Sequence, residues 1–325
     1  MGAPTRVERE EVSGGWRGIA FDQNEVRQMQ RIVPCLWFDH KAVEAVTFYT
    51  SVFPDARVSA TQYYPSEGLL DFQQEFAGKE LTVDFEIGGV RFVAINAGPE
   101  FTVNPSVSFM LNFDPSRDPQ AREHLDALWA ALSEGGAVMM PLGEYPFSRR
   151  YGWVQDRYGV TWQFILSDPE GDPRPFIIPS LLFGGAAQNR AGEALDYYRE
   201  VFPGARVGTV ARYPEQTGPA GPGDVMFADV ELLGQWFALM DSGVEQDVTF
   251  NCGVSLIIEC ADQTELDHYW DALSAVPEAE QCGWCADRFG LSWQIIPVNL
   301  GELMASPGAY QKLMQMKKIE IAAFD

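Results

Sequence analysis

The chain repeats itself. Residues 152–165 read GWVQDRYGVTWQFI, and residues 283–296 read GWCADRFGLSWQII. FYTSVFPDARV at 48–58 returns as YYREVFPGARV at 197–207, and FVAINAG at 92–98 as FALMDSG at 237–243. The order is kept, while the distance between copies narrows along the chain, as deletions in the second copy produce. Such a chain is a tandem duplication, and its fold is one unit used twice. At 325 residues it is long for a single core, so two domains are expected. With 46% hydrophobic and 13% aromatic residues, there is material for two packed cores.

Within each copy a shorter pattern recurs. RIVPCLWF (31–38) reads as a strand, and HKAVEAVTFYTSVF (40–53) has the spacing of a helix that Pro54 ends. Three strands follow, ARVSATQYY, ELTVDFEIG and VRFVAINAG, the last two joined at Gly88-Gly89. SVSFMLNF (106–113) restarts the pattern. The next helix, 118–134, is expected to take Asp118 as cap and Pro119 in its first turn, and to end at Gly135-Gly136. The chain therefore reads as four βαβββ modules, two per copy. Each copy is expected to curl its two modules into a sheet of its own, with 31–38 and 106–113 lining one groove. Residues 1–28 read as a polar leader, 29–166 as the first unit, 167–175 as a linker, 176–298 as the second unit, and 299–325 as a helical tail.

A formal net charge of −23 opposes binding to nucleic acid and to anionic membranes. No run of about 18 apolar residues exists to span a bilayer. The first residues lack the apolar stretch of a secretory signal, and five cysteines do not suggest a disulfide scaffold. A cytoplasmic monomer or homodimer is the expectation.

Paired βαβββ modules resemble the vicinal oxygen chelate superfamily. PCLWFD, FYTSVFPDARV, SVSF and CGWCADRFGLSWQIIPVNLGELM are similar to its PhnB-like family, named for a 3-demethylubiquinone-9 3-methyltransferase domain. The resemblance implies an α+β fold of tandem glyoxalase/bleomycin-resistance/dioxygenase-like units with curved mixed sheets. In metal-using members a His on the first strand and a Glu on the last hold the ion. Val33 and Ser108 stand at such first-strand positions here, and Gln163 and Gln294 stand where Glu is usual. A neutral amide is a poor ligand for a divalent ion. His40, His124 and His268 fall at or in helices, and Cys282–Cys285 lies between strands. No metal, no other cofactor and no catalytic residue is therefore assigned. Methyl transfer is disfavoured, because neither Gly88-Gly89 nor Gly184-Gly185 sits in a strand–turn–helix context.

Alternation along 31–38 sends Leu36 and Phe38 towards the helix, and Val33, Cys35 and Trp37 towards a groove. The residues assigned to ligand binding are Cys35, Trp37, Ser108, Asn112, Trp153, Gln163, Ser180, Ser255, Glu259, Trp284 and Gln294. Trp162 and Trp293 fit either groove or core, and Asp156-Arg157 and Asp287-Arg288 read as structural bridges in turns. Aromatic surface with a few polar handles suits a small organic ligand, a cationic antibiotic among the candidates. The reading is thus a metal-independent small-molecule binder. The alternative is an enzyme of the superfamily, a lyase, isomerase or oxygenase, whose metal is held by Glu259, Asp241 or Asn96. A charge asymmetry is expected between a first groove with Asn96 and Asn112 and a second with Asp241 and Glu259.

Overall fold

Strand alternation decides which face of each sheet meets the core. In the computed structural model, which describes residues 30–324, β1 (Ile32–Asp39) sends Ile32, Leu36 and Phe38 into the main core and Val33 and Cys35 to the opposite face. The expected leader lies outside the described residues. The first module continues through α1 (Ala42–Val52), β2 (Arg57–Tyr63), β3 (Glu80–Ile87) and β4 (Val90–Ala97). The second comprises β5 (Val107–Phe113), α2 (Ala121–Ser133), β6 (Ala137–Tyr145), β7 (Ser148–Gln155) and β8 (Thr161–Leu166). The third comprises β9 (Ile177–Phe183), α3 (Ala191–Val201), β10 (Arg206–Arg212), β11 (Val225–Leu232) and β12 (Gln235–Asp241). The fourth has β13 (Val254–Cys260), α4 (Gln263–Leu273), β14 (Trp284–Ala286) and β15 (Ser292–Pro297). It is βαββ, not βαβββ: the counterpart of β6 has been deleted, which explains the larger, later part of the narrowing between copies.

The C-terminal segment covers the edge that this deletion leaves. Cys282 and Gly283 donate backbone N–H groups to the Met316 and Lys317 carbonyls at 2.8 and 2.7 Å. Short helices α5 (Leu300–Leu303) and α6 (Ala309–Met314) precede that contact. From α6, Tyr310 and Gln311 reach the first module at Gln73 and Gly68.

The sheets do not form within copies, as expected from sequence, but between them. One sheet has the order β14-β15-β13-β1-β4-β3-β2 and joins modules one and four; the other, β10-β11-β12-β9-β5-β8-β7-β6, joins modules two and three. The seams are antiparallel, with Cys35 opposite Ser255 and Ser108 opposite Ser180. β1 and β5 therefore line different grooves. The expectation of two cores also fails: buried residues of all four modules form one cluster between the convex faces, Phe92 meeting Phe109 at 5.1 Å.

What binds module to module within a copy is a buried aspartate. Asp156 Oδ2 accepts from the Tyr49 hydroxyl of α1 at 2.9 Å and from Trp162 Nε1 at 2.8 Å, while Oδ1 accepts the Tyr158 and Val160 amides. Asp287 repeats this with Tyr198 at 2.7 Å, Trp293 at 2.9 Å, and the Phe289 and Leu291 amides. Burial pushes both carboxyls up, and the four donors around each oppose that rise. Trp162 and Trp293 are thus core residues. The Asp-Arg pairs are not bridges: Arg157 bonds the Glu134 carbonyl and covers Phe48, and Arg288 covers Tyr197. Gly159, at φ +91°, makes the tight turn that aims both amides at Asp156. Asp118 behaves differently from expectation. Its side chain accepts from Gln120 N in a turn and pairs with His124, so α2 starts later, at Ala121.

Tyr49→Phe is expected to cost about 2 kcal/mol and Asp156→Asn at least about 3 kcal/mol in chemical denaturation, since an amide would meet donors already aimed at a carboxylate. A second expectation concerns the seams. Residues 30–166 alone leave the edges of β1 and β5 open, so this fragment should run as a homodimer in size-exclusion light scattering. A well-folded monomer would contradict the dependence on cross-copy pairing.

Candidate functional site

The assigned residues divide between the two concave faces. Groove A, across modules one and four, gathers Cys35, Trp37, Ser255, Glu259, Trp284 and Gln294. Groove B, across modules two and three, gathers Ser108, Asn112, Trp153, Gln163 and Ser180. This follows from the register: each lies on the strand face opposite the main core.

Groove B is built on an apolar floor of Met110, Ile178 and Ala238, flanked by Ile165, Phe227 and Trp236. At its centre is a buried polar chain. The Tyr151 hydroxyl donates to Gln163 Oε1 at 2.7 Å, and Gln163 Nε2 donates to Ser108 Oγ at 2.7 Å and Ser180 Oγ at 3.3 Å. Both amide ends are thereby fixed, and the serine hydroxyls keep protons to donate. Trp153, paired across the strands with Gln163, shares this face; among the described residues its buried indole N–H has no acceptor. At one side Arg174, from the stretch between the copies, donates to Asp229 Oδ2 at 2.7 Å and lies 4.0 Å from the Trp236 ring centre. Asn112 spends its amide on the Pro175 carbonyl. Sequence reasoning missed Tyr151, Asp229, Arg174 and Trp236. The first is replaced by Cys282 in the other copy, and Arg174 sits in a stretch with no repeat counterpart to draw attention to it.

Groove A keeps the plan with altered chemistry. Its floor is Val33, Cys35, Val93 and Ile257, flanked by Ile95 and Ile296. Gln294 Nε2 donates to Ser255 Oγ at 2.9 Å, and burial pushes the Cys35 thiol up to about 12, so it stays protonated at neutral pH. Trp37 donates to the Gly98 carbonyl and meets Trp284 edge-on at 6.0 Å. Arg91 holds Glu259 in a two-point pair at 2.9 and 3.0 Å. The α6 segment, joined to β14 at one side and to the loop at Gly68 and Gln73 at the other, closes the Trp284 end.

The expected asymmetry was drawn between the wrong residues. Asn96 and Asp241 lie on the helix side, where their oxygens accept the first amides of α1 and α3, from Ala42 and Ala191. They are caps, not groove residues. Glu259 faces module one, not module three, and is neutralised by Arg91. The Cys282–Cys285 pair is packing: both thiols are free, burial pushes both pKa values up, and Cys282 touches Met314 sulfur at 3.6 Å.

A bound divalent ion, as the fold family implies, does not fit these donors. Gln163 already has its oxygen and nitrogen engaged, and the adjoining residues are serine hydroxyls and aliphatic side chains. Among the described residues no group of three or more His, Cys, Asp or Glu side chains is gathered for a metal, and no helix is long and apolar enough to cross a membrane. A separate hollow of about 140 Å³ on the helix side, between Val52, Ile87, Leu128 and Phe176, shares no residue with either groove.

Gln163→Leu should destabilise the fold by about 2–3 kcal/mol, because it strands a tyrosine and two serine hydroxyls. Gln294→Leu, with fewer partners, should cost about 1 kcal/mol. Thermal unfolding of the two variants compares them; equal losses would refute the difference in polar chains.

Comparison with known proteins follows the two copies of the repeat. The family described as 3-demethylubiquinone-9 3-methyltransferase matches residues 30–165 and 175–296. A PhnB protein of that description from Bacillus cereus is 33% identical, covering 42% of this chain and 100% of its own, with a TM-score of 0.36. A protein from Pseudomonas aeruginosa is 26% identical over 42% of this chain and 98% of its own, at 0.36. Glyoxalase I from Zea mays is 10% identical over 91% of this chain and 100% of its own, at 0.49. No curated protein matches the chain.

Proposed function

This chain belongs to the PhnB-type family described as 3-demethylubiquinone-9 3-methyltransferase, and from that premise we propose that it binds small organic molecules in its two sheet grooves without a resident metal. The observation that carries this reading is the Trp153 indole N–H. A buried donor left without an acceptor is costly, and native proteins resolve such groups with a partner. Here the donor shares a face with two serine hydroxyls that can also donate, over an apolar floor. A ligand with a ring or hydrocarbon body and a carbonyl or similar acceptor would give that indole its missing partner; Ser108 and Ser180 lie fully buried on the same face.

The centre of each groove supports binding more than turnover. Ser108, Ser180, Gln163, Ser255 and Gln294 carry no charge, and the Cys35 thiol is held protonated. Among the described residues none is hydrogen-bonded to a carboxylate or imidazole that would make it a nucleophile. The non-standard metal site considered from sequence loses its donors, because Asn96 and Asp241 cap helices and Glu259 is paired. The methyl-transfer name brings no cofactor cradle with it. Gly88 and Gly89 form the β3–β4 turn, and Gly184 and Gly185 pack against Gln246 and Val248. Sequestration of an antibiotic is one use such grooves would serve.

Gentle purification followed by native mass spectrometry should reveal an organic adduct that denaturation releases. Trp153→Phe should lower its occupancy about tenfold, the loss of one buried hydrogen bond. One equivalent of transition metal per groove by elemental analysis, lost in Gln163→Leu, would overturn the reading.

A further inference from the structure

The duplication lets one groove report on the other. In groove B the register runs Asp229, Ala238, Ser180, Ser108 across four strands. In groove A the same row runs Asp84, Val93, Cys35, Ser255. Asp84 and Asp229 are thus equivalent, at the same height and facing the same way as their cross-strand partners, Val93 and Ala238, which belong to the groove floors.

Their surroundings differ. Asp229 is buried, accepts the Thr209 amide at 2.5 Å, and is met by the Arg174 guanidinium, stacked on Trp236. Asp84 is half-buried, and among the described residues no side chain donates to it. Where groove B has Trp236, groove A has Arg91, but both arms of that guanidinium hold Glu259. Glu86, next along this strand face, is met by Arg57, as Glu231 is met by Arg206 in groove B. Every carboxylate named in groove B is matched by an arginine. Groove A leaves Asp84 without a bonded cation: the charge of Arg91 reaches it, but the arms of that guanidinium are on Glu259, and Asp84 is close enough to Glu259 and Cys35 for its own charge to be felt at both.

We infer that the two grooves select ligands of different charge: groove A takes a ligand whose protonated amine, amidine or guanidine pairs with Asp84, and groove B takes a neutral one, because Arg174 already fills the equivalent place. Arg174 is in effect a resident ligand, and its contacts show what the bare carboxylate accepts. A planar cation making a charge-assisted bond, as Arg174 Nε does to Asp229, is the complement of a partly desolvated carboxylate. Asp84 also gains from such a partner, since burial opposes its ionised form. The inference rests on the groove-binding reading and adds the ligand class of each groove.

Benzamidine, a flat cation, and benzamide, its neutral analogue, test this by titration calorimetry on the full chain. The wild type should bind one equivalent of benzamidine, at least about tenfold more tightly than benzamide in the same groove. Asp84→Asn should abolish that preference while thermal unfolding stays cooperative. Arg174→Ala should open a second benzamidine site, which Arg174→Ala/Asp229→Asn closes again. Equal affinity for the two probes in the wild type, with both still binding, would refute charge selection and leave groove binding standing. Failure of Arg174→Ala to gain a site, or binding of neither probe to the wild type, would also overturn the inference; the native adduct would then judge groove binding separately.

Discussion

A carboxylate with four donors, sealed in the core of each copy, sets the terms for the rest of the structure. Asp156 and Asp287 each gather a tyrosine from the preceding module's helix, a tryptophan from their own last strand, and two amides of an intervening turn. A buried charge is tolerated only with such complete satisfaction. The tyrosine cannot reach unless the helix of one module lies against the last strand of the next. That requirement fixes the back-to-back packing of successive modules and turns both concave faces outward. The repeated stretch that dominates the sequence is largely this device: aspartate, turn glycine and tryptophan. Only the glutamine that follows the tryptophan looks the other way, into a groove.

The fold was legible because its signals are local. Strand alternation correctly separated Leu36 and Phe38 from Val33 and Cys35, and the repeat exposed the modules. Pairing between modules was not legible. Nothing in RIVPCLWF says whether its free edge meets SVSF of the same copy or CGVSLIIE of the other, because both present the same apolar alternation. The deleted strand of module four was visible only as a shorter spacing. The candidate site was legible as composition but not as contact. Gln163 and its serines were found from the pattern. Asn96 and Asp241 were misplaced although alternation holds to the strand's end: Asn96 keeps the parity of Phe92 and Ala94, and Asp241 that of Phe237 and Leu239, so each faces the helix side and accepts an amide of α1 or α3. Arg174 was missed because a linker residue has no periodicity to betray its direction.

Cross-copy pairing also explains why the short fourth module is tolerated. A strand at the end of a sheet leaves unpaired backbone groups, which proteins cover or blunt. Residues 316 and 317 take two backbone bonds from Cys282 and Gly283, at the entry to β14, and the helix before them ties that end to the far side of the same groove. What was removed from within the repeat is made good from outside it.

Joining the copies in one chain has a consequence for how the grooves change. In a symmetric pair of separate chains, any substitution is written into both grooves together, so a residue good for one and bad for the other cannot persist. In a single chain each position is inherited separately. Arginine at 91 with tryptophan at 236, and glutamate at 259 with asparagine at 112, are states that strict twofold symmetry forbids. Fusion therefore did more than fix the stoichiometry: it gave each groove an independent history.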